Sequence, residues 1–577
     1  MSTGSKIRIL IMLLVFALGV FFVSRQLNGP APVLVAEDST LVIEMGGTYI
    51  EGPPASPLAR LAGESSQSFM GLLSMFSLAE RDERLGTVVL RIRTLGIGWG
   101  KADELRAAIE RLREKGVHTV AHLEIQNFSA NKELYIGSAA DEMFVAPGAA
   151  VPLVGLAAEY LFLGGLMEKV GVDFDVAKAG RYKSAVEAYS ARGMSEASRE
   201  MANSLLDDSY ARFVSGLAAG RNLTPQAVRD AIDTGSVRNQ RLEALGLIDG
   251  EAHLDELIDR YGEDVVQHVE YAGTDPATLG FNAQTEFALI YGSGTVVQGE
   301  SGGSPLESGP AFASDTVSRA ILDAAEDDSI SAIILRIDSP GGSALASELI
   351  WRAIIRAREA GKPVIASFSD VAASGGYYVA AAADSIVSDP GTLTGSIGVF
   401  ALRPTVGGLL EKLEIGIDSL TRGKHAEFLL SSEKMSPGAL ARLQTSVLDT
   451  YQLFLTRVAD GRGLTNEDVD QVGQGRVWTG QQAFERGLVD ELGGIYTAVR
   501  RAKESVGLSA EDDVFLIPFP KQKTFSEQIF GVLQSTRAEA TSPLRLLPEP
   551  LASVVGWAAM LPSGTPLLIP PVLMEIR

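Results

Sequence analysis

Ser331–Ile337 (SAIILRI) opens the stretch that decides the fold; it runs through Asp338-Ser339-Pro340-Gly341-Gly342-Ser343 into Ala344–Ala360 (ALASELIWRAIIRAREA). The first seven residues are a continuous apolar, β-branched run, the pattern of a strand buried on both faces of a parallel sheet. A Gly-rich turn leads into a helical pattern, which Gly361-Lys362-Pro363 stops. Pro363–Phe368 (PVIASF) reads as the next strand. Ala373–Ala383 reads as a helix of small apolar residues suited to close packing on a sheet, and Ser385–Ser388 as another short strand. Strand–helix alternation of this kind implies an α/β unit with parallel strands and right-handed crossovers.

The same scheme is written a second time, earlier in the chain. Leu90-Arg91-Ile92 recurs as Leu335-Arg336-Ile337, and Ala139-Ala140-Asp141 recurs as Ala382-Ala383-Asp384. Tyr135 falls opposite Tyr378 and Gly155 opposite Gly398. Tyr210, Phe213, Gly220 and Arg221 match Tyr451, Phe454, Gly461 and Arg462, and Gly246-Leu247-Ile248-Asp249 matches Gly487-Leu488-Val489-Asp490. A period this long marks a duplicated domain rather than a solenoid. Thr87–Ile92, Ala102–Lys115 and Val117–Leu123 are the strand, helix and strand of the first copy. Copy one spans residues 38–262 and copy two 285–505. Tyr271–Gln284 reads as the linker, Gly299–Pro310 as a mobile loop, and 506–577 as an unassigned tail.

The 577 residues carry 50 basic and 72 acidic side chains, a net charge of −22, which disfavours general nucleic-acid binding. Cysteine is absent, so disulfides, thiolate metal sites and a cysteine nucleophile are excluded. No HExxH motif occurs among the five histidines. At the start of the chain, Lys6 and Arg8 precede the uncharged run Ile9–Val23, closed by Ser24 and Arg25. This is the layout of a signal sequence or signal anchor. With no clean cleavage site after it, residues 1–28 read as a cytoplasmic stub and an uncleaved transmembrane anchor. The positive flank keeps the N-terminus cytoplasmic and places both copies on the extracytoplasmic side.

The copies differ where chemistry would sit. Copy two has Gly341-Gly342 after its strand, whereas copy one has Arg93-Thr94-Leu95-Gly96-Ile97-Gly98-Trp99-Gly100. That run lacks the spacing of a nucleotide loop. Copy two then has Ala373-Ser374-Gly375-Gly376-Tyr377, with a serine at a helix entry; its counterpart in copy one is Asn131. Conversely, Gly180-Arg181-Tyr182-Lys183-Ser184-Ala185 puts a lysine in copy one where copy two has Ala426. Each copy therefore lacks one partner of a possible Ser/Lys pair. A serine hydroxyl needs an adjacent base, and burial lowers a lysine toward that role. The amides of Gly341, Gly342 and Gly375 are candidates for holding an oxyanion.

These motifs, with Thr394-Gly395-Ser396-Ile397-Gly398-Val399 and Gly487-Leu488-Val489-Asp490-Glu491-Leu492-Gly493, resemble the signal peptide peptidase A (protease IV) family, peptidase family S49, in its long duplicated bacterial form. The resemblance runs from about residue 6 to 505. It implies two tandem ClpP/crotonase-like domains and a serine endopeptidase anchored in the inner membrane. The implied substrates are cleaved signal peptides and other hydrophobic segments. It assigns Ser374 as nucleophile, Lys183 as general base and Ser396 as the hydroxyl that orients the lysine. It further implies a homo-oligomeric ring and calls for no cofactor or metal. Whether the pair meets within one chain or between chains stays open.

Plainer readings stand beside these. Ser374 could be a helix N-cap, Asp338 a turn or cap residue, and His425 an exposed loop residue. Ser68–Leu78 (SFMGLLSMFSL) reads as core packing, and the proline-broken tail segments Val554–Leu561 and Leu567–Leu573 are too interrupted to span a membrane. The rival functions are a crotonase-type acyl-CoA enzyme and an inactive scaffold derived from a protease.

Overall fold

The computed structural model describes residues 35–52, 67–235, 238–262, 264–301, 311–521, 567–568 and 575–576. The segment read as an anchor and the tail segment Val554–Leu561 lie outside these residues. Among the described residues no helix is long and apolar enough to cross a membrane.

In copy one, β1 (Ser39–Ile50), β2 (Leu85–Gly96), β3 (His118–Leu123) and β4 (Glu142–Val145) form a parallel sheet in that order. The helix α1 (Phe69–Ala79) buries Phe69, Leu72, Leu73 and Phe76, as its core-packing pattern implies. Helix α2 (Trp99–Glu114) links β2 to β3, and α3 (Asn131–Gly137) leads toward β4. A strand β5 (Asp173–Ala179) and the long helix α4 (Glu196–Gly220) follow.

Copy two repeats the plan. Its sheet takes β6 (Thr285–Ser293), β7 (Ile330–Ser339), β9 (Val364–Ala373), β10 (Ser385–Ser388), β11 (Leu393–Gly395) and β13 (Val477–Thr479). Between them lie β8 (Gly342–Ser343), α5 (Ala344–Glu359), α6 (Gly375–Ala380), β12 (Val399–Thr405) and α7 (Pro437–Arg462). The sheet does not stop at residue 505: β14 (Val514–Phe519) pairs in parallel with β6, so the boundary read from the sequence moves outward. Tyr271, at the head of the segment read as a linker, is fully buried in the core.

Side chains matched by the repeat do the same work in both halves. Asp141 accepts from Arg113 Nε (2.7 Å) and Thr119 N–H (2.9 Å); Asp384 accepts from Arg358 Nε (2.7 Å) and Val364 N–H (2.8 Å). Tyr135 packs on Phe213, and Tyr378 on Phe454, with ring centroids 6.2 and 4.7 Å apart. Each such pair contributes about 0.5–1.5 kcal/mol beyond its buried area.

Three features join the copies. One hydrophobic cluster runs from Leu41, Leu90 and Phe213 of copy one to Ile334, Ile365 and Ala498 of copy two. A buried charge network lies beside it: Arg336 of copy two donates to Glu51 (2.9 Å) and Glu104 (2.6 Å) of copy one. Buried networks of this kind add little net stability, but removing one partner costs about 3–5 kcal/mol. Finally, β5 of copy one pairs antiparallel with β12 of copy two along its whole length, Asp173 opposite Thr405 through Ala179 opposite Val399. The first two contacts pack the halves, and the third aims the end of β5 at the end of β11.

Candidate active site

Strand β9 ends at Ala373 and helix α6 begins at Gly375, so Ser374 alone makes the turn between them. Its backbone stands at φ 55°, ψ −112°, a conformation that side-chain-bearing residues rarely adopt. Such strain costs about 1–3 kcal/mol and persists only where the surroundings enforce it. Here Ser374 N–H donates to Gly395 O (2.8 Å), and Ser374 O accepts from Tyr378 N–H (2.8 Å). Ser374 occupies the N-cap position, yet its hydroxyl makes no capping bond.

Instead, Ser374 Oγ lies 2.8 Å from Lys183 Nζ. The lysine arrives four residues beyond β5, in a turn that docks on Gln474-Gly475. Tyr182 N–H donates to Gln474 O (2.8 Å), and a Cβ on Gly475 would sit 2.6 Å from Lys183 N. Only glycine permits that backbone approach, and Gly475 also has φ 76°. Lys183 and Ser374 belong to different copies of the same chain, so one polypeptide forms the pair.

Lys183 is fully buried. Among the described residues no carboxylate pairs with it, and burial alone pushes its pKa well below the ordinary lysine range. Two more oxygens contact Nζ: Ser396 Oγ at 3.0 Å and Ser396 O at 3.1 Å. A neutral amine has two N–H bonds and one lone pair. In the neutral form, two N–H bonds to Ser396 would leave the lone pair for the hydroxyl of Ser374. Ser396 is itself held at φ 52°, with its N–H donating to Arg476 O (2.7 Å).

The glycine cradle is narrower than the sequence implies. Gly341 (φ 96°) makes the turn, but its N–H donates to Ser339 Oγ (3.1 Å). Gly341 is therefore corrected from amide donor to turn residue. Gly342 and Gly375 lie against each other: a Cβ on Gly375 would stand 3.0 Å from Gly342 N. Gly375 N–H lies in the first turn of α6, where the helix itself supplies no acceptor. Beside this cradle, β15 (Leu567–Leu568), from the segment read as an unassigned tail, pairs antiparallel with β8 and also with β12. An extended chain thus fits between the strand that follows Gly341 and the strand that follows Ser396.

The other candidates fall elsewhere. Asp338 caps no helix; it accepts from Lys101 Nζ (2.6 Å) and Val371 N–H (3.2 Å). His425 starts a short turn, Ala426–Leu429, and is not the group that meets Ser374. Asn131, opposite Ser374 in the repeat, donates to Gly155 O (2.6 Å) and starts α3 without the strained elbow. No cluster suited to a metal ion occurs among the described residues. Sequence reasoning missed Lys101 and Asp370, whose carboxylate also accepts from Lys101 Nζ (2.8 Å). No local pattern marks this contact, which joins positions far apart in the sequence.

The model for peptidase family S49 matches the chain twice, over residues 113–267 and 356–509. A chloroplastic serine protease SPPA of Arabidopsis thaliana is 35% identical over 508 residues, covering 86% of this chain and 74% of that one. Protease 4 of Salmonella typhi is 29% identical over 545 residues, covering 89% and 85%. Among solved structures, ClpP1 from Listeria monocytogenes aligns over 35% of this chain and 89% of its own, at 15% identity and a TM-score of 0.21, too low to carry the fold. The duplicated family match and the length over which these relatives align place the chain in peptidase family S49.

Proposed function

We propose that this S49 peptidase is a membrane-anchored serine endopeptidase with a Ser374/Lys183 dyad, acting on cleaved signal peptides and other hydrophobic segments. The observation that carries this reading is the 2.8 Å contact between Ser374 Oγ and a fully buried Lys183 that has no counter-ion among the described residues. Neutral Lys183 takes the Ser374 proton as Oγ attacks the peptide carbonyl carbon. The oxyanion that develops is met by the amides of Gly342 and Gly375. Lys183, now an ammonium held by Ser396, returns the proton to the departing amine. The acyl-enzyme is then hydrolysed by a water that Lys183 deprotonates in turn.

The substrate lies extended between β8 and β12, in the position that Leu567–Leu568 supports. A fully buried dyad favours small or apolar residues at the cut. The basic-flanked apolar run at residues 6–25 supports anchoring in the cell membrane, with the catalytic copies outside the cytoplasm, and the family resemblance favours a homo-oligomeric ring. A crotonase-type acyl-CoA enzyme has no use for a buried lysine on a strained serine. An inactive scaffold would have no reason to keep that strain.

The test is cleavage of a synthetic signal peptide by the wild type, Ser374→Ala and Lys183→Ala, together with fluorophosphonate labelling. Each variant should lose more than about 10³-fold in kcat, and label should appear on Ser374. Cleavage at the wild-type rate by either variant overturns the dyad.

A further inference from the structure

Helix α2 of copy one and α5 of copy two are counterparts of equal length, Trp99–Glu114 and Ala344–Glu359. The turn before α5 carries Gly341 and Gly342 and faces Ser374. The turn before α2 carries Gly98, with Gly96 ending β2 and Gly100 in the first turn of α2, and it faces copy two. Its N-cap, Gly98, has no side chain to offer, and Asp370 of copy two takes that place. Asp370 accepts from Gly98 N–H (2.8 Å) and Lys101 N–H (2.9 Å), a carboxylate at the positive end of a helix. Space allows nothing larger than glycine. A Cβ on Gly98 would lie 2.5 Å from Asp370 Cγ, and one on Gly100 would lie 2.5 Å from Ser369 O.

Lys101 completes the contact. It is buried to 2% exposure, and its Nζ donates to Asp338 (2.6 Å) and Asp370 (2.8 Å). Burial alone would lower its pKa; Asp338, Asp370 and Glu51 outweigh that and hold it well above the ordinary lysine range. Both carboxylates belong to the reacting strands. Asp338 directly precedes Ser339-Pro340-Gly341-Gly342, and Asp370 lies four residues before Ser374. Between them the pairing of β7 with β9 slips: Ile337 faces Phe368, but Ser339 faces Ala372. Asp370 sits in that bulge, and bulges beside active sites re-aim the residues that follow. Asp338 ties the bulge down through Val371 N–H (3.2 Å).

We propose that Lys101, with Asp370 and Asp338, is a positioning unit through which copy one sets the bulge and so the placement of Ser374 against the amides of Gly342 and Gly375. The inference rests on the peptidase reading above. The glycine turn of copy one, which has no serine of its own to serve, holds the strand that carries the serine of copy two.

The test uses the full-length protein and a synthetic signal peptide, with Lys101→Met, Asp370→Asn and Ser374→Ala compared at a temperature where circular dichroism shows each to be folded. In Lys101→Met and Asp370→Asn, kcat should fall by about 10- to 100-fold with KM within about threefold, since misplacement near 1 Å costs about that much. A purely structural residue would lower the melting temperature and leave kcat per folded molecule unchanged. Asn at 370 keeps one of the two acceptor oxygens, enough for one of the Gly98 and Lys101 amides, so it carries the test if Lys101→Met does not fold. A kcat within twofold of wild type in a folded variant overturns the positioning role. Retained cleavage by Ser374→Ala instead overturns the peptidase reading beneath it.

Discussion

Lys183 has been taken out of water with no compensating charge among the described residues, and both its proposed reactivity and its cost follow from that. Its pKa is lowered by burial, so the unfolded chain binds a proton that the folded chain does not. Stability contributed at this position therefore declines as pH falls from the ordinary lysine range, about 10.4, toward the lowered folded value. In the proposed mechanism activity needs the neutral amine and should rise with pH through that same folded value. Lys183→Met, which fills the space without the charge, should abolish cleavage and raise the melting temperature at neutral pH. Peptide cleavage and thermal unfolding across a pH series check both limbs. A variant that melts below wild type would mean that the lost Ser396 contacts outweigh the relieved burial. At this scale the sequence singled out Ser374 and Lys183, because each sits in a motif whose counterpart in the other copy lacks the group, while Ser396 came only with the family resemblance. Lys101 and Asp370 were not legible. Their meaning depends on a contact across more than 260 residues that no local pattern encodes.

Among the elements, apolar runs marked the strands well and their ends poorly. Ser331–Ile337 became Ile330–Ser339 with little change. Pro363–Phe368 grew to Val364–Ala373, because the polar Ser369-Asp370 interrupts the apolar run where the chain in fact bulges and continues. The antiparallel pairing of β5 with β12 was hidden for another reason: strand partners are chosen by packing of distant segments, and a single strand's residues do not name its neighbour. The two-residue strand β8 is the tightest element at the site. A Cβ on Gly342 would stand 2.1 Å from Val296 O. Gly342→Ala should push β8 off the strand Val296–Val297 and lower kcat by about 10²-fold or more while the protein remains folded. Steady-state kinetics beside a circular dichroism spectrum would show it; unchanged kcat would remove Gly342 from the cradle.

The whole molecule is a duplication whose halves have specialised. The repeat was plain in the sequence, and the paired Arg113–Asp141 and Arg358–Asp384 contacts show the same frame beneath both copies. The halves now carry different parts of one site, with Lys183 on the first and Ser374 on the second, 2.8 Å apart within a single chain. That placement has a consequence in genetic terms. A chain mutated at Ser374 and a chain mutated at Lys183 each retain one good half, but neither can lend it to the other. Co-expressed in one cell, the two alleles should fail to complement and should leave cleavage at the level of either alone. Recovery of a substantial fraction of wild-type activity would mean that the pair is assembled in trans. A duplication that first supplied spare parts has thus become one in which no part is spare.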